Sequence, residues 1–377
     1  MAGYEAIIAV PARDEAARLP GCLHALAGQY GISFGRMAVL VFANNCKDDT
    51  AAVATALRPT LPYALHVQTA RLPPGLAHAG GARAAAMAAA ANLLPPGDGI
   101  LLATDADARP EPGWLAANLA ALAAGADAVA GAILPDAAEA ALLPPALRRR
   151  EAAEARYAAL LAEIAALVDP VPHDPWPRHD TQSGASIAVR QAVFHAAGGV
   201  PPVLLGEDRA FFRALDLMDA RVRHAPTARV VVSCRLQGRA VGGMADTLCR
   251  RAARHDEPLD ARLEPVGAAW RRARIKHAVR RDWRDGSVAM PDPGLRDAGD
   301  RALLLAACRH ASFGLAWEFL EAAMPWLARQ RVDARDLLRE TLKAQGLLAG
   351  LRLRASIRRP AGAERRPIGR PGVAPAG

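Results

Sequence analysis

Through the first third of the sequence, short β-rich runs alternate with helical patterns, and few architectures accommodate that alternation. The runs are "AIIAV" (6–10), "AVLVF" (38–42), "LHVQTA" (65–70), "GILLATD" (99–105) and "DAVAGAI" (127–133). Between them lie a helical pattern with Leu19, Cys22, Leu23 and Leu26 on one face, "DDTAAVATAL" (48–57), an alanine-rich segment (79–94) and a segment from Pro112 to Ala124. Strands joined to strands through helices by short connections predict an α/β fold, with a mostly parallel central sheet and helices on both faces. In such sheets ligands bind beyond the carboxyl ends of the strands.

The fourth run ends at that edge in "TDADARPEPGW" (104–114). Side chains alternate along an extended chain, so Asp105 and Asp107 are expected to point the same way, roughly 7 Å apart. Two hard oxygen donors on one side suit Mg²⁺ or Mn²⁺ bound together with a diphosphate. The plainer reading is a polar strand exit followed by an ordinary turn.

Residues 136–180 read as an insertion: a helical stretch rich in Ala, Glu and Arg, then the proline-punctuated "DPVPHDPWPRHD" (169–180) with His173 and His179. A strand, "SIAVR" (186–190), precedes "GGVPPVLLGEDRAFFRAL". Beyond about residue 236 the pattern is helical, over 244–254, 261–283, 296–329 and 333–350. From 352 to 377 the sequence has no periodicity and is expected to be a basic disordered tail.

The formal charge is +9, and residues 351–377 hold seven arginines against one acid. Such a balance favours anionic partners, including a peripheral contact with an anionic membrane surface, or simply solvates the tail. No nucleic-acid partner is expected, because no aromatic interleaving or binding motif accompanies the arginines. The five cysteines contain no CxxC pair, so neither a disulfide framework nor a zinc site is indicated. No window is long and apolar enough for a membrane span, and the expectation is a cytoplasmic protein, peripheral to the inner face of the membrane if its arginines engage lipid.

Four patches stand in order: "VPARDEAARLPGCLHAL" (10–26), "VFANNCKDDTAAVA" (41–54), "TDADARPEPGWL" (104–115) and "SGASIAVRQAVFHAAGGVPPVLLGEDRAFF" (183–212). Together they resemble the family 2 glycosyltransferases, inverting enzymes of the GT-A fold, over roughly residues 5 to 235. The resemblance implies a glycosyltransferase domain over 1–235, with a nucleotide-binding half to about 135 and an acceptor-side half from about 136. A helical region (236–351) and the tail would follow.

The resemblance also implies roles. Pro11, Arg13 and Glu15 would border the base and ribose. Ala43, Asn44 and Asn45 stand where the family usually has an acidic residue near the base, and an amide both donates and accepts where a carboxylate only accepts. Arg83 would lie near the nucleotide. Asp105 and Asp107 would hold the ribose and the metal–diphosphate, with Mn²⁺ or Mg²⁺ as the ion. Asp208 would be the catalytic base, with Glu207 and Gly184 beside the donor sugar. The donor would be a nucleotide-diphosphate sugar and the acceptor an unidentified hydroxyl, in polysaccharide or glycolipid biosynthesis. The "QxxRW"-like motif of processive members is missing, which implies a single transfer per encounter.

Plainer readings accompany several of these residues. Glu207 and Asp208 also suit a helix start, where acids favour the macrodipole. Arg235 and Arg239 either grip the diphosphate or belong to a solvated basic loop. His173 and His179 either reach the metal or acceptor or decorate the surface. Trp114 reads as packing, and Gly184 and Gly199 as tight turns or close approach to the sugar. An alternative function is a nucleotide-sugar-binding or scaffold protein of the same fold that has lost turnover, which the atypical "ANN" turn motivates. A nucleotidyltransferase would carry a Gly-rich loop after the first strand, whereas this loop has no glycine before Gly21.

Overall fold

The computed structural model describes residues 3–236, 238, 242–254, 258–285 and 298–358. Four strands, β1 (Ala6–Ala12), β2 (Met37–Asn44), β3 (Ala64–Ala70) and β4 (Ile100–Ala103), lie parallel in the order β3-β2-β1-β4. The helices between them are α1 (Leu19–Ala27), α2 (Thr50–Leu57) and α3 (Ala79–Leu93). Alternate residues of one strand feed two cores. Ile8 and Val10 face Leu19, Leu23 and Leu26 of α1, whereas Ile7 and Ala9 face Ala86, Met87 and Ala90 of α3. Strands buried on both faces explain the continuous apolar runs.

The remaining strands are β5 (Arg109–Pro110), β6 (Ala128–Pro135), β7 (Ile187–Arg190) and β8 (Val222–Val232). They complete the eight-stranded order β3-β2-β1-β4-β7-β6-β8-β5. Here the mostly parallel order takes in two opposed strands. β7 lies between β4 and β6 and is antiparallel to both, β5 is antiparallel to β8, and only β6 and β8 are parallel. The sheet is therefore mixed. The cause is the excursion after β6, which leaves and re-enters at the same sheet edge, so the returning strand runs backwards. That excursion contains α5 (Ala137–Ala141), α6 (Pro145–Val168) and the proline-rich loop.

Helix α4 (Trp114–Ala123) covers the α1 face, burying Trp114, whose Nε1 donates to Ser186 Oγ at 2.7 Å. Trp114 is thus a packing residue, as its sequence reads. Short α7 (Gln191–Ala196) leads towards α8 (Glu207–Leu217), which packs Phe211, Phe212 and Leu215 on the α3 face. The start of α3 presses on the loop before α8: a Cβ on Gly80 would lie 2.0 Å from the carbonyl oxygen of Val203. Only glycine permits that approach.

The C-terminal region is helical, with α9 (Met244–Ala253), α10 (Val266–Asp285), α11 (Ala298–Ala307), α12 (Phe313–Ala323) and α13 (Leu337–Arg358). The continuous helical stretch expected over 296–329 is broken. Ser312 caps α12 by accepting from the Leu315 amide, and Asp219 accepts from the amides of Phe313 and Gly314. These bonds fix a new helix start against the end of α8. The disordered tail expected from 352 is helical as far as Arg358. α13 continues to Arg358, with Arg352 paired to Glu163 of α6 at 2.7 Å. Residues 359–377 lie outside the described residues. Tyr157 and Ile164 of α6 share a core with Val266, Leu337, Ala344 and Leu348 of the C-terminal helices. No described helix is long and apolar enough to cross a membrane.

Candidate active site

The carboxyl ends of β1, β2 and β4 point at one edge, and the loops leaving them converge there. Arg83, one turn into α3, is the centre of the cluster. Its Nη2 donates to Asp105 Oδ1 at 2.8 Å, its Nε to Glu207 Oε1 at 3.0 Å and its Nη1 to the Gly184 carbonyl at 2.9 Å. One buried guanidinium thus ties together α3, the turn after β4, the loop before β7 and the start of α8. Burial works against its charge, but the charges and hydrogen bonds of Asp105 and Glu207 outweigh that and raise its pKa. The side chain fits only because residue 184 is glycine, since a Cβ there would lie 2.2 Å from the guanidinium carbon. Gly184 therefore makes room for Arg83.

Asp105 and Asp107 are not placed by strand alternation. β4 ends at Ala103, and the chain turns immediately, with the Ala108 amide donating to the Asp105 carbonyl at 3.1 Å. The two carboxylates meet different arginines. Asp105 meets Arg83, whereas Asp107 Oδ2 lies 2.9 Å from Nη2 of Arg235. Arg235 also reaches Glu15, at 2.7 Å and 3.3 Å. Glu15 sits in the loop after β1, where its amide donates to Thr50 Oγ1 of α2. So Glu15, Asp107 and Arg235, remote in sequence, form one knot. Burial opposes the Arg235 charge, and the hydrogen bond to Glu15 and the charge of Asp107 raise its pKa.

The charge balance around Asp107 indicates what else the knot can hold. Burial first, then the charge of Asp105, pushes the Asp107 carboxyl up to about 6, with Glu15 adding to the rise and Arg235 opposing it. Two carboxylates, Asp107 and Glu15, share the single charge of Arg235. All the donors are carboxylate oxygens, and the Asp107 side chain is about one-fifth exposed (21%). Carboxylate oxygens are the hard donors that Mg²⁺ or Mn²⁺ takes, but Glu15, Asp105 and Asp107 do not close into a three-ligand group here.

Asp208 stands on the other wall. Its Oδ2 accepts from the Gly184 amide at 3.1 Å and its Oδ1 from the Arg209 amide at 2.7 Å. Glu207, its neighbour, is buried and turned to Arg83. The adjacent acids therefore face different partners. The charge of Asp208 also acts on Arg262, which is held by Asp260 and the Asp180 carbonyl.

The remaining candidates divide. Pro11 lies in β1 opposite Phe42, and Arg13 Nη1 donates to the Ala77 carbonyl at 2.9 Å, bracing the loop before α3. Asn44 is buried at the end of β2 with its Oδ1 unpartnered, and Asn45 takes a positive φ of 51° while its side chain clasps the backbone of Leu72. Arg239 lies outside the described residues. Neither His173 nor His179 belongs to a three-ligand group among the described residues. The group found there is Asp14, Cys46 and Asp48, whose ligand atoms lie within 4.8 Å of one another. Its carboxylates accept from the amides of Lys47, Ala16 and Thr50, so they clasp the loops after β1 and β2. Burial, followed by the neighbouring His224, lowers the His179 pKa to about 4, and burial also lowers that of His173. Two site arginines escape a sequence reading. Arg18 pairs with Glu139 and acts on Asp107, and Arg262 comes from the C-terminal region. Arg18 falls inside the quoted first patch; Arg262 has no signal at all.

No curated protein sequence matches the chain. Among solved structures it is similar to the mannosyltransferase PcManGT from Pyrobaculum calidifontis in complex with GDP-Man and Mn²⁺, at 18% identity over 95% of this chain and 84% of that one, TM-score 0.45. It is similar to S. aureus TarS 1-349 in complex with UDP-GlcNAc, at 14% identity over 94% and 92%, TM-score 0.45. A third is the glucosyl-3-phosphoglycerate synthase from Mycobacterium tuberculosis in complex with Mn²⁺, UDP-glucose and phosphoglyceric acid, at 17% identity over 68% and 82%, TM-score 0.38. The family described as Glycosyl transferase family 2 matches residues 7–165, a span that begins in β1, contains the Asp105–Asp107 turn and ends within α6. Residues 7–165 thus match the family 2 glycosyltransferase model over the part of the chain that holds β1 to β6 and the Asp105–Asp107 turn.

Proposed function

We propose that the chain moves a sugar from a nucleotide-diphosphate sugar to a hydroxyl acceptor in a single inverting displacement, one transfer per encounter. The observation that carries this reading is Arg83. It spans Asp105 on the donor wall and Glu207 beside Asp208 on the opposite wall, fixing the gap in which a sugar is attacked.

In this reading the nucleotide lies over the ends of β1 and β2, beside Pro11, Arg13 and Asn44, with the ribose at Asp105. Asp107, with Asp105, would hold Mn²⁺ or Mg²⁺, and an ion bound there supplies positive charge to the leaving diphosphate. Asp208 takes the proton of the acceptor hydroxyl, which is a poor nucleophile until a positioned carboxylate removes it; such general-base help is worth about 10²–10⁴-fold. The amides of Gly184 and Arg209 hold that carboxylate in place, and Glu207 is excluded from the role by its contact with Arg83. Leu204 and Leu205, exposed in the loop just before Asp208, suit an acceptor with an apolar part. The domain boundary at 235, and a cytoplasmic, membrane-peripheral location, belong to the same proposal.

The test is a thermal-shift panel of UDP-, GDP- and TDP-sugars with and without Mn²⁺, followed by donor consumption for any sugar that binds. Mn²⁺-dependent stabilisation and turnover are expected. Stabilisation without turnover under every acceptor tried would favour the alternative of a nucleotide-sugar-binding or scaffold protein.

A further inference from the structure

Arg235 occupies the place where a cation is wanted. Its Nη2 lies 2.9 Å from Asp107 Oδ2 and 2.7 Å from Glu15 Oε1, so one guanidinium already satisfies both carboxylates. A divalent ion at Asp107 needs the same oxygens. Two cations on one carboxylate repel each other, so ion and guanidinium compete. Arg235 is only about one-fifth exposed (19%), and leaving the knot strips it of both partners unless another anion receives it. A diphosphate is such an anion, because its oxygens match the fork of a guanidinium in pairs.

We propose that Arg235 is a built-in counter-cation that holds the metal affinity of the free enzyme low. Divalent ion and nucleoside diphosphate then bind together: the ion takes Asp107 as the diphosphate takes the guanidinium. Each ligand raises the affinity for the other, and linkage requires the factor to be the same in both directions. The inference rests on the metal assignment of the preceding section and adds an order to it. A site arranged in this way does not fill with metal alone, and in the donor-free enzyme Arg235 offsets part of the charge of Asp107 and Glu15.

The experiment is Mn²⁺ binding by electron paramagnetic resonance, with Mn²⁺ alone and with Mn²⁺ plus UDP or GDP, on wild type, Arg235→Gln and Arg235→Lys. For wild type, weak binding of Mn²⁺ alone is expected, tightened by nucleotide by about 5–150-fold, the usual span of such couplings. Arg235→Gln should bind Mn²⁺ alone at least about fivefold more tightly than wild type, and nucleotide should enhance it less. Arg235→Lys retains the charge and should keep the weak binding of Mn²⁺ alone, while losing the paired grip on the diphosphate; circular dichroism of both variants checks that they fold. If Arg235→Gln binds Mn²⁺ no more tightly than wild type while nucleotide still promotes binding, the counter-cation role is wrong and the metal site stands. If no folded protein binds Mn²⁺ in any arm, both the metal assignment and this inference fall.

Discussion

The two walls of the site hold their carboxylates differently. On the donor wall Asp105, Asp107 and Glu15 each meet a guanidinium, and Glu207 reaches over from the opposite wall to share that of Asp105. Across the gap, the contacts of Asp208 are backbone amides, those of Gly184 and Arg209. An amide pair fixes a carboxylate in space without supplying a full counter-charge, whereas a guanidinium occupies its oxygens with a charged partner. The donor-wall carboxylates are engaged by arginine side chains, whereas the hydrogen bonds of Asp208 come from backbone amides.

The largest expected effect breaks the donor wall. Arg83→Met leaves Glu207 buried and unpaired and releases Asp105 and the Gly184 carbonyl. Removing one member of a buried pair typically costs about 3–5 kcal/mol. Urea unfolding should report a loss of that order, and Arg83→Met with Glu207→Gln should recover part of it. An unchanged midpoint for the single variant would show that Arg83 does not organise the site.

On the other wall the effect should fall on rate. Asp208→Asn keeps the shape and the acceptor oxygen but takes no proton, so transfer should drop by about 10²-fold or more, about 2.7 kcal/mol of barrier. Donor affinity and melting temperature should hardly move. Glu207→Gln should do the reverse, loosening Arg83 and lowering stability. If Glu207→Gln abolishes turnover while Asp208→Asn retains it, the walls have been assigned the wrong way round.

Asp174 sharpens the contrast, because it lies within the insertion but is clamped like a donor-wall acid. It accepts from Arg178, from Arg223 and from both the amide and the ring of His224. Burial pushes its pKa up, but the hydrogen bond and charge of His224, with Arg178, overrule it and bring the carboxyl down to about 2. A folded pKa below the ordinary value adds stability above that ordinary value, and the benefit is lost as pH falls through the folded one. Asp174→Asn should therefore cost about 2 kcal/mol at neutral pH. Its unfolding curve should converge with that of wild type between about pH 4 and pH 2. A constant gap across that range would mean that the ionised carboxylate is not what holds the loop to β8.

Sequence reading reaches the donor wall further than the acceptor wall, and the reason is locality. β1 to β4 and α1 to α3 each follow from a contiguous pattern, and the Asp105–Asp107 turn directly follows β4. β8 was invisible because Pro226 interrupts it and its pairing with β6 shifts register after Gly131, so no clean alternation is written there. The antiparallel entry of β7 depends on where a long excursion ends, which no window contains. Among site residues, Arg83, Asp105 and Glu207 were each legible as polar groups near the donor. Their union was not, because it requires Gly184 to omit a side chain. Asp107 was read from strand alternation, yet a turn places it, and its partner Arg235 is more than a hundred residues away.

The smallest expected effect concerns the end of the chain. Leu348 of α13 is buried and Leu351 half-buried against α6, and Arg352 pairs with Glu163. Residues 353–356 of the same helix are exposed, so packing on α6 ends near Arg352. Residues 359–377 contain four arginines, one glutamate and few large apolar groups. Little apolar surface is available there to offset the entropy of ordering a segment. A chain ending at Arg358 should therefore unfold within about 0.5 kcal/mol of the full protein. Its binding to vesicles rich in phosphatidylglycerol should weaken, because each arginine near an anionic surface contributes about 1 kcal/mol. A marked fall in melting temperature would mean that these residues pack on the body. Unchanged vesicle binding would move any membrane contact from the tail to the apolar lip at Leu204 and Leu205, on the Asp208 side of the site.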